Sequence, residues 1–235
     1  MSRSLTDEAI DRIRGFVQSG RFPAGAKLPP EQELATELGI SRSPMREAVK
    51  ALIMARVLEI RRGDGTYVTS LAPSLLLEGL GNAVALMGGG TVLELTEVRR
   101  LLEPAATRLA ATRITEDELA AVAELLDAMC EAVDDVERLT VLDAAFHRTV
   151  IAATGNETLT TLLEGVSSRT LRARIWRGTV DRGVTNTTLA QHRAIYTALA
   201  NRDADVATAA ALMHVDTSER WLRAHLADAQ ELDAE

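Results

Sequence analysis

Apolar residues recur at helical spacing from Met45, with Ala48, Val49, Leu52 and Ile53 following at i+3, i+4, i+7 and i+8. One continuous stripe at that period predicts an amphipathic helix beginning near Ile40. Its opposite face carries Arg42, Ser43, Arg46 and Lys50. Pro44 falls in the first turn, where a missing N–H costs nothing, and Ser41 or Ser43 can cap that turn. A shorter amphipathic helix, Glu31 to Leu38, precedes it, opened by Pro29-Pro30 and closed by Gly39. An earlier helix, capped by Thr6, turns Ile10, Ile13 and Val17 inward. Past the third helix the period drops to two. Val57 to Arg62 reads as a strand, Gly63-Asp64-Gly65 as a tight turn, and Thr66 to Thr69 as the returning strand.

From Ala72-Pro73 onward the helical period returns and stays. Leu75, Leu76, Leu80, Val84 and Met87 share one face of a helix that ends at Gly88-Gly89-Gly90. Thr91 and Glu94 form a capping box for a helix to about Thr112, which Pro104 should kink. Thr115 and Glu118 form another, for a helix to about Val133. Helices then run from Arg138 to Thr154, Glu157 to about Arg177, Thr188 to Ala200 and Asp203 to Leu226, with a loop from Val180 to Asn186. No strand pattern follows Val68. The fold expected is mainly α: an N-terminal winged helix-turn-helix with a small β-hairpin wing, then a C-terminal all-α bundle. Residues 1–70 form the winged module, 71–90 a linker with the first helix of the second domain, and 91–235 the bundle proper.

Charge sharpens this division. The 235 residues are 46% hydrophobic and 26% charged, ordinary globular values, but the net charge of −8 is unexpected for a module with a cationic helix face. Through Ser70 there are 11 Lys and Arg against 9 Asp and Glu, or +2; the remainder has 15 against 25, or −10. The cations are therefore confined to the front module, where arginines and hydroxyls in the first turns of a helix can bond phosphates and guanine edges. The single Cys130, in an apolar helical run, reads as a structural thiol and points to a reducing cytoplasm. No signal peptide is evident, and the run from Leu71 to Met87 holds Glu78 and Asn82 and is too short to cross a membrane.

A second constellation lies in the bundle. Asp143 and His147 are i, i+4 and project from one helix face. His192 stands 10 residues before Arg202 and His214 stands 12 after it, on either side of the turn Asn201-Arg202-Asp203. In an antiparallel hairpin, positions equally far from the turn lie at one height, so the two imidazoles can face each other. Packing of the Asp143 helix on that hairpin would gather four metal-ligand types inside a bundle. His225 lies about 16 Å further along at 1.5 Å rise per residue, too far to share an ion. Imidazole with one carboxylate suits Zn²⁺ or Ni²⁺ better than Mg²⁺ or Ca²⁺.

Lys27-Leu28-Pro29-Pro30-Glu31-Gln32-Glu33-Leu34-Ala35, Gly39 to Ala48 and Gly63 to Val68 resemble the winged-helix domain of GntR-family bacterial transcription regulators. Glu97 to Pro104, Asp143 to His147, Thr154-Gly155-Asn156, Gln191 to Ile195 and His214 resemble the effector domain of the FadR subfamily, the FCD domain. The resemblance implies that Arg42, Ser43, Pro44 and Arg46 occupy DNA-contacting positions and that Gly63 sits at the wing tip. It implies a divalent ion, often zinc or nickel, on Asp143, His147, His192 and His214. Two positions depart from the family pattern: Gln32 stands where relatives often carry an Arg, and Arg56 where a Gly usually ends the recognition helix.

The function expected is that of a cytoplasmic, homodimeric repressor reading a near-palindromic operator and sensing a small organic acid. Positions left open on the ion would take the effector's carboxylate, with Arg99 as a charge partner and Arg172 as a second candidate. Arg99 has an equal alternative as a pair with Glu97 or Glu103. Two other functions compete: a metalloenzyme, or a DNA-binding dimer with a purely structural helical domain.

Overall fold

Three helices build the front unit, each ended by an identifiable cap. In α1 (Leu5–Gln18) the Ser4 hydroxyl accepts from the Asp7 amide while the Asp7 carboxylate accepts from the Ser4 amide. This reciprocal box satisfies two orphan donors, and it places the start at Ser4 rather than at Thr6, which lies inside the helix. Helix α2 (Glu31–Leu38) stops at Gly39, whose φ of 66° lets two amides turn back to Ala35 and Thr36. In α3 (Arg42–Met54), Ser41 holds the capping position without a side-chain bond.

Helix α3 ends in a Schellman motif. The Val57 amide bonds Leu52 O at 2.9 Å and the Arg56 amide bonds Ile53 O at 3.0 Å, with Arg56 at φ 58°. Strands β1 (Leu58–Arg61) and β2 (Gly65–Val68) then pair antiparallel, Leu58 opposite Val68 and Arg61 opposite Gly65. The first strand is a little shorter than the pattern predicts, and the second keeps its length but starts one residue earlier, at Gly65. Ala9, Ile13, Leu34, Met45, Ala48, Val49, Leu52, Leu58 and Val68 close one core beneath these elements. A short turn of helix, α4 (Pro73–Leu76), follows.

The structure is a computed structural model and describes residues 4–76, 91–181 and 183–232. Most of the helix expected from Leu75 to Met87, and the glycines at 88–90, lie outside the described residues. The chain divides into two compact units, Met1–Gly79 and Leu80–Glu235.

The rear unit is helical throughout its described residues: α5 (Thr91–Arg113), α6 (Glu116–Glu131), α7 (Val136–Ala152), α8 (Glu157–Arg169), α9 (Leu171–Val180), α10 (Val184–Ala200) and α11 (Ala204–Leu232). Helix α5 runs on through Pro104. The expected box at Thr115 and Glu118 caps α6. Several boundaries differ from the sequence reading, α11 for one reaching Leu232 rather than Leu226, and two of the differences shape the region of the site. The loop expected from Val180 to Asn186 shrinks, because Gly183 caps α10. The helix expected from Glu157 to Arg177 breaks at Thr170, which ends α8 with φ −87° and ψ −1°. The buried Thr170 hydroxyl donates to Ser167 O at 3.0 Å, competing with the backbone ladder, and Arg99 of α5 donates to that hydroxyl at 3.3 Å. Helices α10 and α11 form the antiparallel hairpin predicted around Asn201-Arg202-Asp203. Phe146, Ile114, Met129, Ile195 and Leu199 form the centre of the core.

Candidate metal centre and nucleic-acid interface

The stripe of α3 that begins at Met45 is buried, so the other face is turned to solvent. Arg42, Ser43 and Arg46 are exposed and Pro44 is half-buried. Neither Arg42 nor Arg46 forms an ion pair among the described residues. Their neighbours differ. Lys50 is 3.0 Å from Glu47, Arg61 is 2.8 Å from Glu59, and Lys27 is 2.6 Å from Asp64. Gly63, at φ 76°, makes the exposed wing tip. Asp64 beside it also accepts from the Tyr67 hydroxyl, and the Arg61 guanidinium lies 4.0 Å from the Tyr67 ring centre. Hydrogen bonds from Lys27 and Tyr67 hold the Asp64 carboxyl below its ordinary range.

In the rear unit, Asp143 and His147 on α7 meet His192 on α10 and His214 on α11. One ligand atom from each lies within 4.8 Å of all the others, and all four residues are buried. His147 Nε2 is 3.1 Å from His214 Nε2 and 3.2 Å from His192 Nε2; His192 Nε2 is 3.1 Å from Asp143 Oδ1. Each ring is oriented through its other nitrogen. His192 Nδ1 donates to Thr188 O at 2.8 Å. The Thr217 hydroxyl gives its proton to Met213 O, so its oxygen accepts from Gln191 Nε2; Gln191 Oε1 therefore faces His214 Nδ1, at 3.1 Å. His147 Nδ1 faces the Glu103 carboxylate at 3.5 Å.

With every Nδ1 turned to an acceptor, the neutral rings carry their protons there, and three Nε2 lone pairs converge with one carboxylate oxygen. Lone pairs so placed repel unless a cation lies among them, and outer acceptors on ligand histidines are the usual support of a metal site. Burial pushes the His147 and His214 imidazoles below their ordinary range, well below for His214, which favours the neutral ligand form. Burial opposes the Asp143 charge, but the Arg174 guanidinium outweighs it and holds that carboxyl well below the usual range. The donor set fits a divalent ion of borderline softness.

A cavity of about 50 Å³ opens beside this cluster. Asp143 and His214 border it, together with Arg174 and Arg177 of α9 and the hydroxyl side chains Thr185, Thr188 and Ser218. Val136, Leu139 and Val184 supply apolar wall.

Residues 5–68 match the gntR family of bacterial regulatory proteins, and residues 94–217, more than half of the chain, match the FCD domain. The chain belongs to the GntR family. With its FCD domain it falls in the FadR-like subfamily, and it is a DNA-binding transcription regulator rather than an enzyme. It is similar to the galactonate operon transcriptional repressor of Escherichia coli K12, at 30% identity over 95% of this chain and 99% of that one. It is also similar to the transcriptional regulator LutR of Bacillus subtilis, at 33% identity over 87% and 94%. A solved structure titled Streptococcus agalactiae GntR superposes with a TM-score of 0.66, at 30% identity over 92% of this chain and 99% of that one.

Within this GntR regulator the two arginines named from sequence fall differently. Arg99 is 1% exposed and binds Glu103 through Nε at 2.6 Å and Nη2 at 3.3 Å. It is thus a buried pair behind His147, not a surface pair, and it does not border the cavity. Arg172 is exposed on α9 and is not among the residues that border the cavity. Arg174, two residues on, is the group that donates to Asp143 Oδ2. Sequence reasoning missed Arg174 and Arg177, and named Glu103 only as a partner for Arg99, not as the group facing His147. A signal existed: Leu163, Ser167, Thr170, Arg174 and Arg177 are spaced by four, three, four and three, a single inward stripe that turns polar.

Three smaller readings are refined. His225 stacks on Trp221 and donates to its carbonyl, outside the cluster. Cys130 is half-buried, and Arg193 of α10 donates to its sulfur at 3.6 Å, a cationic neighbour invisible in the local sequence. Among the described residues no helix is long and apolar enough to cross a membrane.

Proposed function

We propose that this GntR regulator is a homodimeric cytoplasmic repressor whose FCD domain binds a divalent ion, Zn²⁺ or Ni²⁺, and a small organic acid. The observation that carries the reading is the convergence of three oriented Nε2 atoms and Asp143 Oδ1 inside the bundle. Asp143, His147, His192 and His214 hold the ion. A bound ion supplies positive charge that attracts the effector's carboxylate. Arg174 lies beside it and offers a second cation, while Arg99 fixes Glu103 and through it the His147 ring.

The front unit reads the operator. Arg42, Ser43, Pro44 and Arg46 enter the major groove on α3, and Gly63 brings the wing close to the backbone. A near-palindromic site requires two such modules related by a two-fold axis, hence the dimer. The likeness to the galactonate operon transcriptional repressor supports repression. Effector binding favours one of two packings of the bundle and so changes operator affinity.

Native mass spectrometry and elemental analysis of the purified protein test the metal, with about one zinc or nickel expected per chain. A mobility-shift assay tests the coupling: Asp143→Ala with His147→Ala should leave DNA binding and lose its response to acids. A metal-free protein, or a double variant that still responds, sinks the sensor and leaves a DNA-binding dimer with a structural helical domain.

A further inference from the structure

Arg174 and Arg177 stand one turn apart on α9 and border the same cavity as Asp143 and His214. Among the described residues, the buried side-chain nitrogens and oxygens without a hydrogen-bond partner are two: Nε of Arg174 and Nε of Arg177. An unmet buried guanidinium N–H is costly, so two in one cavity mark acceptors that a ligand brings.

The two cations differ in charge balance. Arg174 is paired with Asp143. Arg177, 8% exposed, donates Nη1 to the neutral Ser218 hydroxyl at 2.7 Å and has no carboxylate within 4.0 Å among the described residues. Asp143 and Asp181 act on it only from further away. With a divalent ion in the proposed site, the charge around the cavity is +2: two from the ion and one from each arginine, less one each for Asp143 and Asp181. A monoanion leaves one of those buried charges unmet.

We infer that the effector is a small dicarboxylate and that Arg177 holds its second carboxylate. This rests on the metal-sensor reading above. Side chains three residues apart on one helix face start about 5–6 Å apart, a spacing a short diacid bridges. The cavity is small, about 50 Å³, which favours a short ligand over a long chain. The Thr185 and Thr188 hydroxyls border the same space and can serve a hydroxyl on the ligand backbone. Arg177 thus sets specificity by charge.

The experiment uses the full chain loaded with zinc, its metal content measured first. The only two tryptophans, Trp176 and Trp221, have ring centres 4.8 Å apart, and the Arg177 guanidinium lies 5.9 Å from that of Trp221. Tryptophan emission therefore reports filling of this cavity. Succinate is titrated against butyrate, and malate against 3-hydroxybutyrate. Each diacid should bind about ten-fold or more tightly than its monoacid, the factor expected for one charged hydrogen-bonded partner. Arg177→Gln should shrink that ratio to about three-fold or less with zinc content retained, and Arg177→Lys should restore part of it. The wild-type ratio decides the matter even where the glutamine variant melts early. Equal affinities, a preference that survives Arg177→Gln, or binding of none of the four acids overturns the inference and leaves the metal reading standing. A protein that takes up no zinc overturns both.

Discussion

Arg56 combines a charged, Cβ-bearing side chain with a backbone that favours glycine. Its φ of 58° closes the Schellman motif of α3. The left-handed conformation costs a non-glycine residue about 1–2 kcal/mol, and a glycine there would cost about 0.5–1 kcal/mol in unfolded-chain entropy. Arg56→Gly should therefore raise stability by about 0.5–1 kcal/mol in a thermal melt. Gln191 is a different kind of residue, since it touches no ion and orients His214. Gln191→Leu should weaken metal affinity by about 10–100-fold in a competition titration while all four ligands remain. On the DNA face, Arg46→Ala should cost about 1–3 kcal/mol of operator affinity if it reads a base, and should instead flatten the salt dependence if it holds a phosphate. Much at this scale was legible from spacing alone. Helical rise converts sequence distance into height, so spacing paired Asp143 with His147 and His192 with His214; joining the two pairs took the packing of the Asp143 helix on the hairpin, which the family resemblance implied. Arg99 and Glu103 could not be resolved, because an i, i+4 pair looks the same on a surface and in a core.

Helix α9 decides what the cavity can hold, and it is the element the sequence concealed. Between Glu157 and Arg177 only Gly165 and the weak helix formers Ser167, Ser168 and Thr170 hint at a break, and the partners of the Thr170 hydroxyl, Ser167 O and Arg99 of another helix, are not visible in the local pattern. Its fit is tight on one side: a Cβ at Gly178 would lie 2.7 Å from Val136 Cγ1 of α7. Alanine there gains about 1 kcal/mol of helix propensity but overpacks a branched, immobile neighbour at about 1–3 kcal/mol. Gly178→Ala should lower the melting temperature modestly and weaken effector binding, because α9 carries Arg174 and Arg177. Unchanged acid affinity would show that this wall does not shape the site. The other helices were legible because each buries a stripe at the right period; the wing was legible because its glycines mark the turn between two short strand-like runs.

At the scale of the whole chain, each of the two units has its own main core among the described residues, one within residues 9–68 and the larger within 110–211. An ion bound only by the folded rear unit stabilises it by mass action, about 2.7 kcal/mol at one hundred times its dissociation constant. Chelation should therefore lower the rear unit's melting transition and leave the front unit's in place, a result calorimetry can separate. Charge is divided as unevenly as structure, +2 through Ser70 and −10 beyond it. That sum hides a further economy on the reading face. Lys27, Lys50 and Arg61 already hold neighbouring acids, whereas Arg42 and Arg46 hold none. A backbone phosphate arriving at any of those three must evict a resident carboxylate. If this face reads the operator as proposed, non-specific duplex gains less from those three cations than from guanidiniums that stand open, such as Arg42 and Arg46.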